Sequence, residues 1–290
     1  MTGGPTGPAL PWDLAVDPSI RLGLELPPLD LSAGSDLAPT TLDRLKAVLA
    51  DAERAGVGGL WLTGGAGHPS GGADACTVAA GLAAEPGSMT LGVVASLAGA
   101  RNPSLLARDV TSLDVVSSGR SGVLVEGAAC LGEALTVCRS LFTGHSSDFT
   151  GRCYHLSGAV NRPAPVRSGG PLLLAQPARP AEVGDPAGTV DAWVVTGDTA
   201  QVEEAARVLR ASSGPGTPGA AGGRPALVWR GALDADHDAG VAKRVDELHQ
   251  AGADGLIVSA AGADGRIGAG FAAVERLGAL LVPLVGRWTR

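Results

Sequence analysis

The stretch Leu49-Ala-Asp-Ala-Glu-Arg-Ala-Gly-Val-Gly-Gly-Leu-Trp61 contains the end of a predicted helix and the start of a predicted buried strand. Gly56 follows the last helical Ala, where a glycine relieves the strain of the left-handed conformation that closes many helices. The same Ala-Gly step recurs at Ala251–Gly252, again just ahead of a short apolar run. Buried apolar strands that follow helices in this way are typical of parallel sheets with both faces covered.

The strand-then-helix order repeats along the chain on both sides of this stretch. We predict eight strands, at Arg21–Leu26, Gly59–Leu62, Thr90–Ala95, Gly122–Val125, Pro171–Ala175, Ala192–Val195, Ala226–Trp229 and Gly255–Val258. We predict helices at Leu42–Ala55, Pro103–Ser117, Gly132–Phe142, Thr199–Ala211, Val241–Ala251 and Phe271–Leu280. Eight strands with alternating helices favour an α/β protein with a (β/α)8 TIM barrel over a doubly wound open sheet.

Composition and charge limit the classes of function. The 290 residues include 22 Lys and Arg against 29 Asp and Glu, which gives a formal net charge of −7, and 45% are hydrophobic. The acidic balance argues against a nucleic-acid binder and against a polybasic membrane-surface protein. The chain lacks a window of about 18 apolar residues, and its N-terminal residues lack the basic and apolar regions of a signal peptide. We therefore expect a cytoplasmic protein without nucleic-acid or membrane partners.

Glycine and proline mark two segments outside the predicted elements. We expect residues 1–18 to form a flexible N-terminal arm. Residues 19–290 are then a single barrel domain, with a disordered loop near 211–223 where the sequence reads ASSGPGTPGAAGG.

The chain contains four cysteines, Cys76, Cys130, Cys138 and Cys153. They include no CxxC pair, and no His lies at a zinc-ligand spacing from them. We therefore expect four free thiols that pack as small apolar residues, and no metal site.

In a TIM barrel the chemistry lies on the loops that follow the carboxyl ends of the strands. The first polar residues at those positions are, in chain order, Glu25, Thr63, Ser96, Glu126, Gln176, Thr196, Arg230 and Ser259. Two carboxylates and one guanidinium on one rim can form a small polar site. Glu25, Thr63, Glu126 and Arg230 are therefore candidate catalytic residues, because paired carboxylates serve acid–base chemistry when burial separates their pKa values.

The segment Arg101-Asn-Pro-Ser-Leu-Leu-Ala-Arg-Asp-Val-Thr-Ser-Leu-Asp-Val-Val-Ser-Ser-Gly-Arg120 closely resembles the bacterial luciferase-like superfamily. That superfamily includes FMN-dependent monooxygenases and coenzyme F420-dependent oxidoreductases, in which a helix and turn of this pattern link barrel strands three and four. The stretches Leu49–Trp61, Val190–Trp193 and Ala251–Val258 are similar to other segments of the family. The similarity runs over most of residues 20–285 and implies the luciferase-like barrel.

The residues that this family places around its cofactor are altered here. After strand two, many relatives have an acidic residue or a histidine, whereas this chain reads Thr63-Gly64-Gly65, with His68 as a candidate substitute. After strand four, only Gly127 matches the family's glycine-rich turn. The long segment that usually follows that turn is largely missing, because Glu133 comes almost at once. The fifth strand leads into Gln176-Pro-Ala-Arg-Pro180, and proline lacks the N–H that would bind a phosphate.

The resemblance implies that the residues next to a cofactor are Val94, Ala95, Gly127, Gln176 and Arg179. Arg179, Arg230 or the glycine-rich loop Ala260–Arg266 are the groups left to hold a phosphate. The implied cofactor is F420 or FMN, or none at all. The Gly-, Ala- and Arg-rich composition is typical of a high-GC, actinobacterial genome, which slightly favours F420.

The resemblance implies a flavin- or F420-dependent oxidoreductase or monooxygenase that acts on a small organic molecule, with a degenerate cofactor site. Two alternatives stay open. One is a non-catalytic accessory subunit or small-molecule binder on the same fold. The other is a flavin-independent barrel enzyme that uses the rim carboxylates.

We also expect the chain to form a homodimer, or a heterodimer with a catalytic relative. The helix Pro103–Ser117 carries Leu105, Leu106, Val110 and Leu113, more apolar surface than one contact with the barrel needs.

Overall fold

The computed structural model of the chain describes residues 17–28, 40–64, 72–97, 102–127, 129–179, 188–212, 225–233, 238–259 and 267–288. The predictions for His68, for the loop Ala260–Arg266, for most of the N-terminal arm and for most of the 211–223 loop lie outside these residues.

Eight parallel strands close into a barrel, so the prediction of a (β/α)8 fold is confirmed and an open doubly wound sheet is excluded. The barrel strands are β1 (Leu22–Leu26), β2 (Gly59–Thr63), β3 (Thr90–Ser96), β4 (Ser121–Glu126), β7 (Leu172–Gln176), β8 (Ala192–Val195), β9 (Ala226–Ala232) and β10 (Gly255–Ser259). Around the barrel their order is β1-β10-β9-β8-β7-β4-β3-β2. Each of the eight predicted strands overlaps one of them.

The helices are α1 (Pro18–Arg21), α2 (Thr40–Ala55), α3 (Ala75–Leu82), α4 (Pro103–Val116), α5 (Leu131–Leu141), α6 (Thr199–Ser212), α7 (Asp238–Gln250) and α8 (Ile267–Val285). All six predicted helices are present, and the connection from β4 to α5 is as short as predicted. The sequence analysis missed α1, α3 and an antiparallel hairpin of β5 (Ser146–Thr150) and β6 (His155–Val160). Within the described part of the chain, no helix has both the length and the apolar character to cross a membrane.

The two Ala-Gly steps end helices as predicted. Gly56 follows α2 with φ of 89°, and Gly252 follows α7 with φ of 110°. Both values lie in the left-handed region, which a side chain with a Cβ adopts at a cost. The next barrel strand begins three residues after each glycine.

The segment that resembles the family has a structural role between β3 and β4. The carboxylate of Asp114 on α4 is fully buried and accepts a hydrogen bond from Oγ of Ser121 at 2.9 Å. Its other oxygen accepts the backbone N–H groups of residues 166 and 167 at 2.7 and 3.0 Å. The Arg120 guanidinium donates to two backbone carbonyls just after α3, each at 2.9 Å. These buried bonds tie α3, α4, β4 and the loop before β7 together.

The apolar surface of α4 is largely used inside the chain. Leu106, Val110 and Leu113 are buried, so they are not the free interface residues that the dimer prediction supposed. Leu105 is 56% exposed, and Val115 and Val116 on the same helix are 37% and 57% exposed.

The prediction of four free thiols is wrong for two of the cysteines. Cys130 and Cys153 form a disulfide, whereas Cys76 and Cys138 are free. The physical reason is the unpredicted hairpin, whose turn folds back onto the start of α5 and brings Cys153 to Cys130 across 23 residues.

Candidate functional site

Inward-facing side chains form a layer of their own inside the barrel. Trp61 is fully buried there, between strands β1 and β3 that carry glycine at the facing positions. A Cβ on Gly23 or on Gly92 would overlap the Trp61 indole, so these two glycines make room for it. The Trp61 indole Nε1 has no hydrogen-bond partner among the described residues. The floor beneath the barrel mouth is therefore bulky and largely apolar.

The predicted rim residues lie two positions further along the strands than this layer, toward the carboxyl ends. Side chains alternate between the two faces of a strand, so residues two apart share a face. Gly23, Trp61, Val94, Leu124, Leu174, Val194, Val228 and Ile257 are followed two positions later by Glu25, Thr63, Ser96, Glu126, Gln176, Thr196, Arg230 and Ser259. Seven of the eight barrel strands thus carry an inward-facing polar residue near their carboxyl end, and on β8 the polar residue Thr196 directly follows the strand.

Five of these residues form one hydrogen-bonded group, which we call the mouth network: Glu25, Thr63, Glu126, Gln176 and Arg230. Arg230 donates from Nε to Oε2 of Glu25 at 2.8 Å and from Nη2 to Oε1 of Glu25 at 2.6 Å. Its Nη1 donates to Oε2 of Glu126 at 2.6 Å and to Oε1 of Gln176 at 2.8 Å. The Thr63 hydroxyl donates to Oε1 of Glu25 at 2.6 Å. One guanidinium thus connects side chains from β1, β4 and β7.

The electrostatics keep Arg230 charged. Burial lowers the pKa of its guanidinium, but the hydrogen bonds and charges of Glu25 and Glu126 more than offset this, so the pKa is raised. The three side chains are only 10–17% exposed. Two carboxylates against one guanidinium leave the mouth network with one net negative charge. Four of the five guanidinium N–H groups are used within the network.

This arrangement limits the contacts that Arg230 can make with a ligand. The sequence offered Arg230 as a residue that could hold a cofactor phosphate. In the structure its hydrogen-bonding capacity is almost filled by Glu25, Glu126 and Gln176, and a bidentate contact with a phosphate needs two free N–H groups. Arg230 is therefore the centre of a hydrogen-bonded network with its own neighbours.

Backbone lines the rim after two of the strands. Gly64 directly follows β2 with φ of 135°, and Gly127 directly follows β4 with φ of 65°. Neither position carries a side chain above Thr63 or Glu126. Among the described residues that follow these two strands, Thr63-Gly64 offers no acid or imidazole.

The other residues that the resemblance assigned to a cofactor are spread over different surroundings. Val94 faces the barrel interior below Ser96, whereas Ala95 packs in the outer core between strands and helices. Pro177, just after Gln176, is buried, and Arg179 is exposed. The side chains of Ala95 and Arg179 thus lie outside the mouth network.

One residue was missed in the sequence analysis, although the sequence carried a signal for it. Trp61 was read only as part of a strand, yet it forms the floor of the mouth. Glycines on the two strands that flank β2, here Gly23 on β1 and Gly92 on β3, are the signal that a large side chain lies between them.

A family model matches one segment of the barrel, which begins just after β1. The family model for luciferase-like monooxygenases matches residues 28–125. This segment contains β2, β3, α4 and almost all of β4. Among curated proteins, no sequence matches the chain.

Solved structures share the whole fold at low sequence identity. The monooxygenase RslO1 from Streptomyces bottropensis has a TM-score of 0.66 and 15% identity, over 91% of this chain and 99% of that one. The coenzyme F420-dependent tetrahydromethanopterin reductase from Methanopyrus kandleri has a TM-score of 0.67 and 13% identity, over 91% of this chain and 99% of that one. The oxygenating constituent of 3,6-diketocamphane monooxygenase from Pseudomonas putida was solved in complex with FMN. It has a TM-score of 0.64 and 12% identity, over 91% of this chain and 98% of that one.

At such identities the structures establish the shared fold, and the family model adds a sequence relationship. The chain therefore has the (β/α)8 barrel fold of these structures, and its residues 28–125 match the family model for luciferase-like monooxygenases.

Proposed function

We propose that this protein is a luciferase-like oxidoreductase that acts on a small organic molecule at the barrel mouth, with a degenerate cofactor site. The observation that carries the proposal is the mouth network, a closed polar group at the carboxyl ends of the strands. In TIM barrels this end of the barrel holds the chemistry. The match to the monooxygenase family model and the similarity to F420- and FMN-binding enzymes support a proposal of redox chemistry.

The described residues do not fit FMN or F420 held by the usual phosphate contacts. A phosphate is commonly bound by several backbone N–H groups at the start of a helix. Here Pro177 has no N–H, the Gln176 oxygen accepts from Arg230, and Arg230 has one donor left. Losing two or three charge-assisted hydrogen bonds of about 1.5–3 kcal/mol each weakens binding by several powers of ten. We accordingly infer weak binding of FMN and F420, or none.

The network also indicates the charge of the substrate. Its one guanidinium is neutralised by Glu25 and Glu126, so among the described residues of the mouth network an anionic ligand would meet a net negative charge. The Gln176 amide makes one hydrogen bond among the described residues, through its oxygen, which leaves its NH2 group as a donor. A neutral molecule with a carbonyl or hydroxyl oxygen fits these groups better than a carboxylate or phosphate.

Calorimetry with FMN and with F420 tests the cofactor part of the proposal. We expect no heat of binding at low-micromolar ligand, and the purified protein should be colourless. A dissociation constant in the low-micromolar range or below would contradict this part and restore an ordinary flavin or deazaflavin enzyme.

Thermal shift with matched ligand pairs tests the substrate class. A neutral carbonyl compound should raise the melting temperature more than the carboxylate with the same carbon skeleton. Gln176→Leu should abolish this stabilisation, whereas Gln250→Leu, an exposed position at the end of α7, should leave it unchanged. Equal stabilisation by the carboxylate would overturn the assignment.

A second candidate function is a small-molecule binder or accessory subunit without catalysis. It is favoured by the absence of an acid or imidazole at Thr63-Gly64, where many relatives carry one. A flavin-independent acid–base enzyme is less well supported, because both oxygens of Glu25 already accept hydrogen bonds. Turnover of a bound ligand with a reduced flavin or deazaflavin supplied in excess would separate the oxidoreductase from the binder.

For the partner, we propose a homodimer, with a heterodimer with a catalytic relative as the alternative. The exposed apolar side chains of α4, Leu105, Val115 and Val116, provide surface for a protein contact. Sedimentation at micromolar concentration should give the mass of a dimer, and Leu105→Glu should shift the equilibrium toward the monomer. A wild-type monomer under these conditions would argue against a homodimer.

A further inference from the structure

The hairpin of β5 and β6 is held against the first turn of α5 by one carboxylate. Glu133 accepts hydrogen bonds from three consecutive backbone N–H groups of the hairpin turn, at 2.9 Å for Arg152, 2.8 Å for Cys153 and 3.2 Å for Tyr154. The bonds from Cys153 and Arg152 lower the pKa of Glu133. A Cβ at Gly151 would overlap the same carboxylate, so glycine permits this approach. The turn is thus docked on α5 by contacts that need no covalent bond.

The docked turn brings two sulfur atoms together close to the end of β4. Cys130 directly precedes α5 and is 9% exposed, whereas Cys153 lies in the turn and is exposed. Their Cα atoms are 6.3 Å apart and their sulfurs are bonded. Arg152 donates a hydrogen bond from Nη2 to Sγ of Cys130 at 3.4 Å. A neighbouring cation and a position at a helix start both favour the thiolate form of Cys130. The thiolate is the form that reacts with disulfides.

The surroundings favour thiol chemistry over a metal at this place. The ligand atoms of Cys130, Glu133 and Cys153 lie within 4.8 Å of one another, which suits a small metal site by distance. However, the Glu133 carboxylate is already bonded to three N–H groups, and the Arg152 guanidinium beside Cys130 would repel a metal cation.

We propose that Cys130 and Cys153 form a reversible exchange site for low-molecular-weight disulfides. The exposed thiolate of Cys153 attacks one sulfur of the external disulfide, forms a mixed disulfide and releases one thiolate. The thiolate of Cys130 then attacks Sγ of Cys153, forms the Cys130–Cys153 bond and releases the second thiolate. The two cysteines lose two electrons and two protons, and the external disulfide becomes two thiols.

The Glu133 contacts keep the two thiols close together when the disulfide is open. Because the turn is docked by hydrogen bonds, opening the disulfide leaves Cys153 next to Cys130. Ring closure is therefore an intramolecular step at high effective concentration. The site is independent of the function proposed for the mouth, although Cys130 lies only four residues beyond Glu126.

Redox titration of the whole protein in mixtures of reduced and oxidised glutathione tests the proposal. Free thiols are alkylated at each ratio and mapped by mass spectrometry. Cys130 and Cys153 should titrate together and reversibly, while Cys76 and Cys138 form no intramolecular bond. A pair that stays fully reduced or fully oxidised at every ratio would overturn the proposal.

Single variants test the order of attack. With oxidised glutathione, Cys130→Ser should accumulate a mixed disulfide on Cys153, because the resolving thiol is missing. Cys153→Ser should react at Cys130 at least about tenfold more slowly, since Cys130 is almost buried. Equal rates for the two variants would contradict the assigned roles.

A third comparison tests the role of Glu133. Glu133→Ala should lower the equilibrium constant for ring closure about tenfold or more, because the turn loses its anchor. The matched control is Asp148→Ala, which removes a carboxylate in the same hairpin that accepts the N–H of Gly158 at 2.7 Å. The control should leave the equilibrium constant within about twofold of wild type. An unchanged constant in Glu133→Ala would overturn the docking argument.

Discussion

Replacement of Arg230 by methionine should destabilise the whole barrel, because Arg230 is the only cation in the mouth network. The substitution keeps much of the side-chain volume but removes four hydrogen bonds to Glu25, Glu126 and Gln176. It also removes the guanidinium to which both carboxylates bond, in a region where their side chains are 10% and 17% exposed. The cost of keeping these carboxylates buried without the guanidinium, more than the lost attraction to it, determines how far stability falls.

The expected loss follows from the burial of these charges. Removing one partner of a buried ion pair typically costs about 3–5 kcal/mol. The entropy of unfolding is about 2.1 cal/mol/K per residue, or about 0.6 kcal/mol/K for a chain of this length. Arg230→Met should therefore lower the melting temperature by about 5–8 °C.

Differential scanning calorimetry measures this loss, and a second arginine provides the control. Arg139 donates to Asp191 at 2.8 Å on the outside of the barrel, with both side chains less than 20% exposed. Arg139→Met should cost less, because Asp191 still accepts the backbone N–H of Leu173 at 2.8 Å. The comparison distinguishes the cost of unpaired buried carboxylates at the mouth from the general cost of losing an ion pair.

A triple variant decides whether stranded charge is the cause. Glu25→Gln and Glu126→Gln combined with Arg230→Met remove all three charges, so at least half of the lost stability should return. If Arg230→Met melts within about 2 °C of wild type, or if the triple variant is no more stable than the single one, the reasoning is refuted.

Three further predictions concern other parts of the molecule. Gly92→Ala should cost about 1–3 kcal/mol in a denaturant titration, because its Cβ overlaps the Trp61 indole, and adding Trp61→Leu should restore most of it; a neutral Gly92→Ala would contradict this packing. The lowered pKa of Glu133 means that its docking contribution is present above about pH 4.5 and is lost as the pH falls through the lowered pKa, so the protection of hairpin amides against exchange, relative to their intrinsic rates, should fall there in the wild type but show no such transition in Glu133→Ala. Burial raises the pKa of Cys138 to about 12, so iodoacetamide at pH 8 should modify Cys76 and spare Cys138 in the native protein; rapid labelling of Cys138 would be inconsistent with that burial.

Local sequence patterns were sufficient for the eight barrel strands, for six of the described helices and for the sequence positions of the polar rim. A short apolar run after an Ala-Gly step predicts a buried strand, and the Gly56 and Gly252 backbones have the expected left-handed conformation. Because side chains alternate along a strand, a polar residue at its carboxyl end is placed by counting. Glu25, Glu126 and Arg230 were located in this way.

Several features could not be predicted because they depend on residues that are distant in sequence. The hairpin of β5 and β6 is mostly polar and exposed, so it has no apolar pattern of its own. Its docking on Glu133 brings Cys153 to Cys130. No sequence pattern around either cysteine predicts this pairing.

The same limit applies to the mouth network. Sequence counting placed Arg230 and the two glutamates on one rim but could not tell whether the guanidinium faces a ligand or its own neighbours. Arg230 is separated by 205 residues from Glu25 and by 104 from Glu126, and barrel closure sets the distances between them. Local propensity acts over a few residues, whereas the pairing of charges depends on which strands become neighbours and on how deeply their side chains are buried.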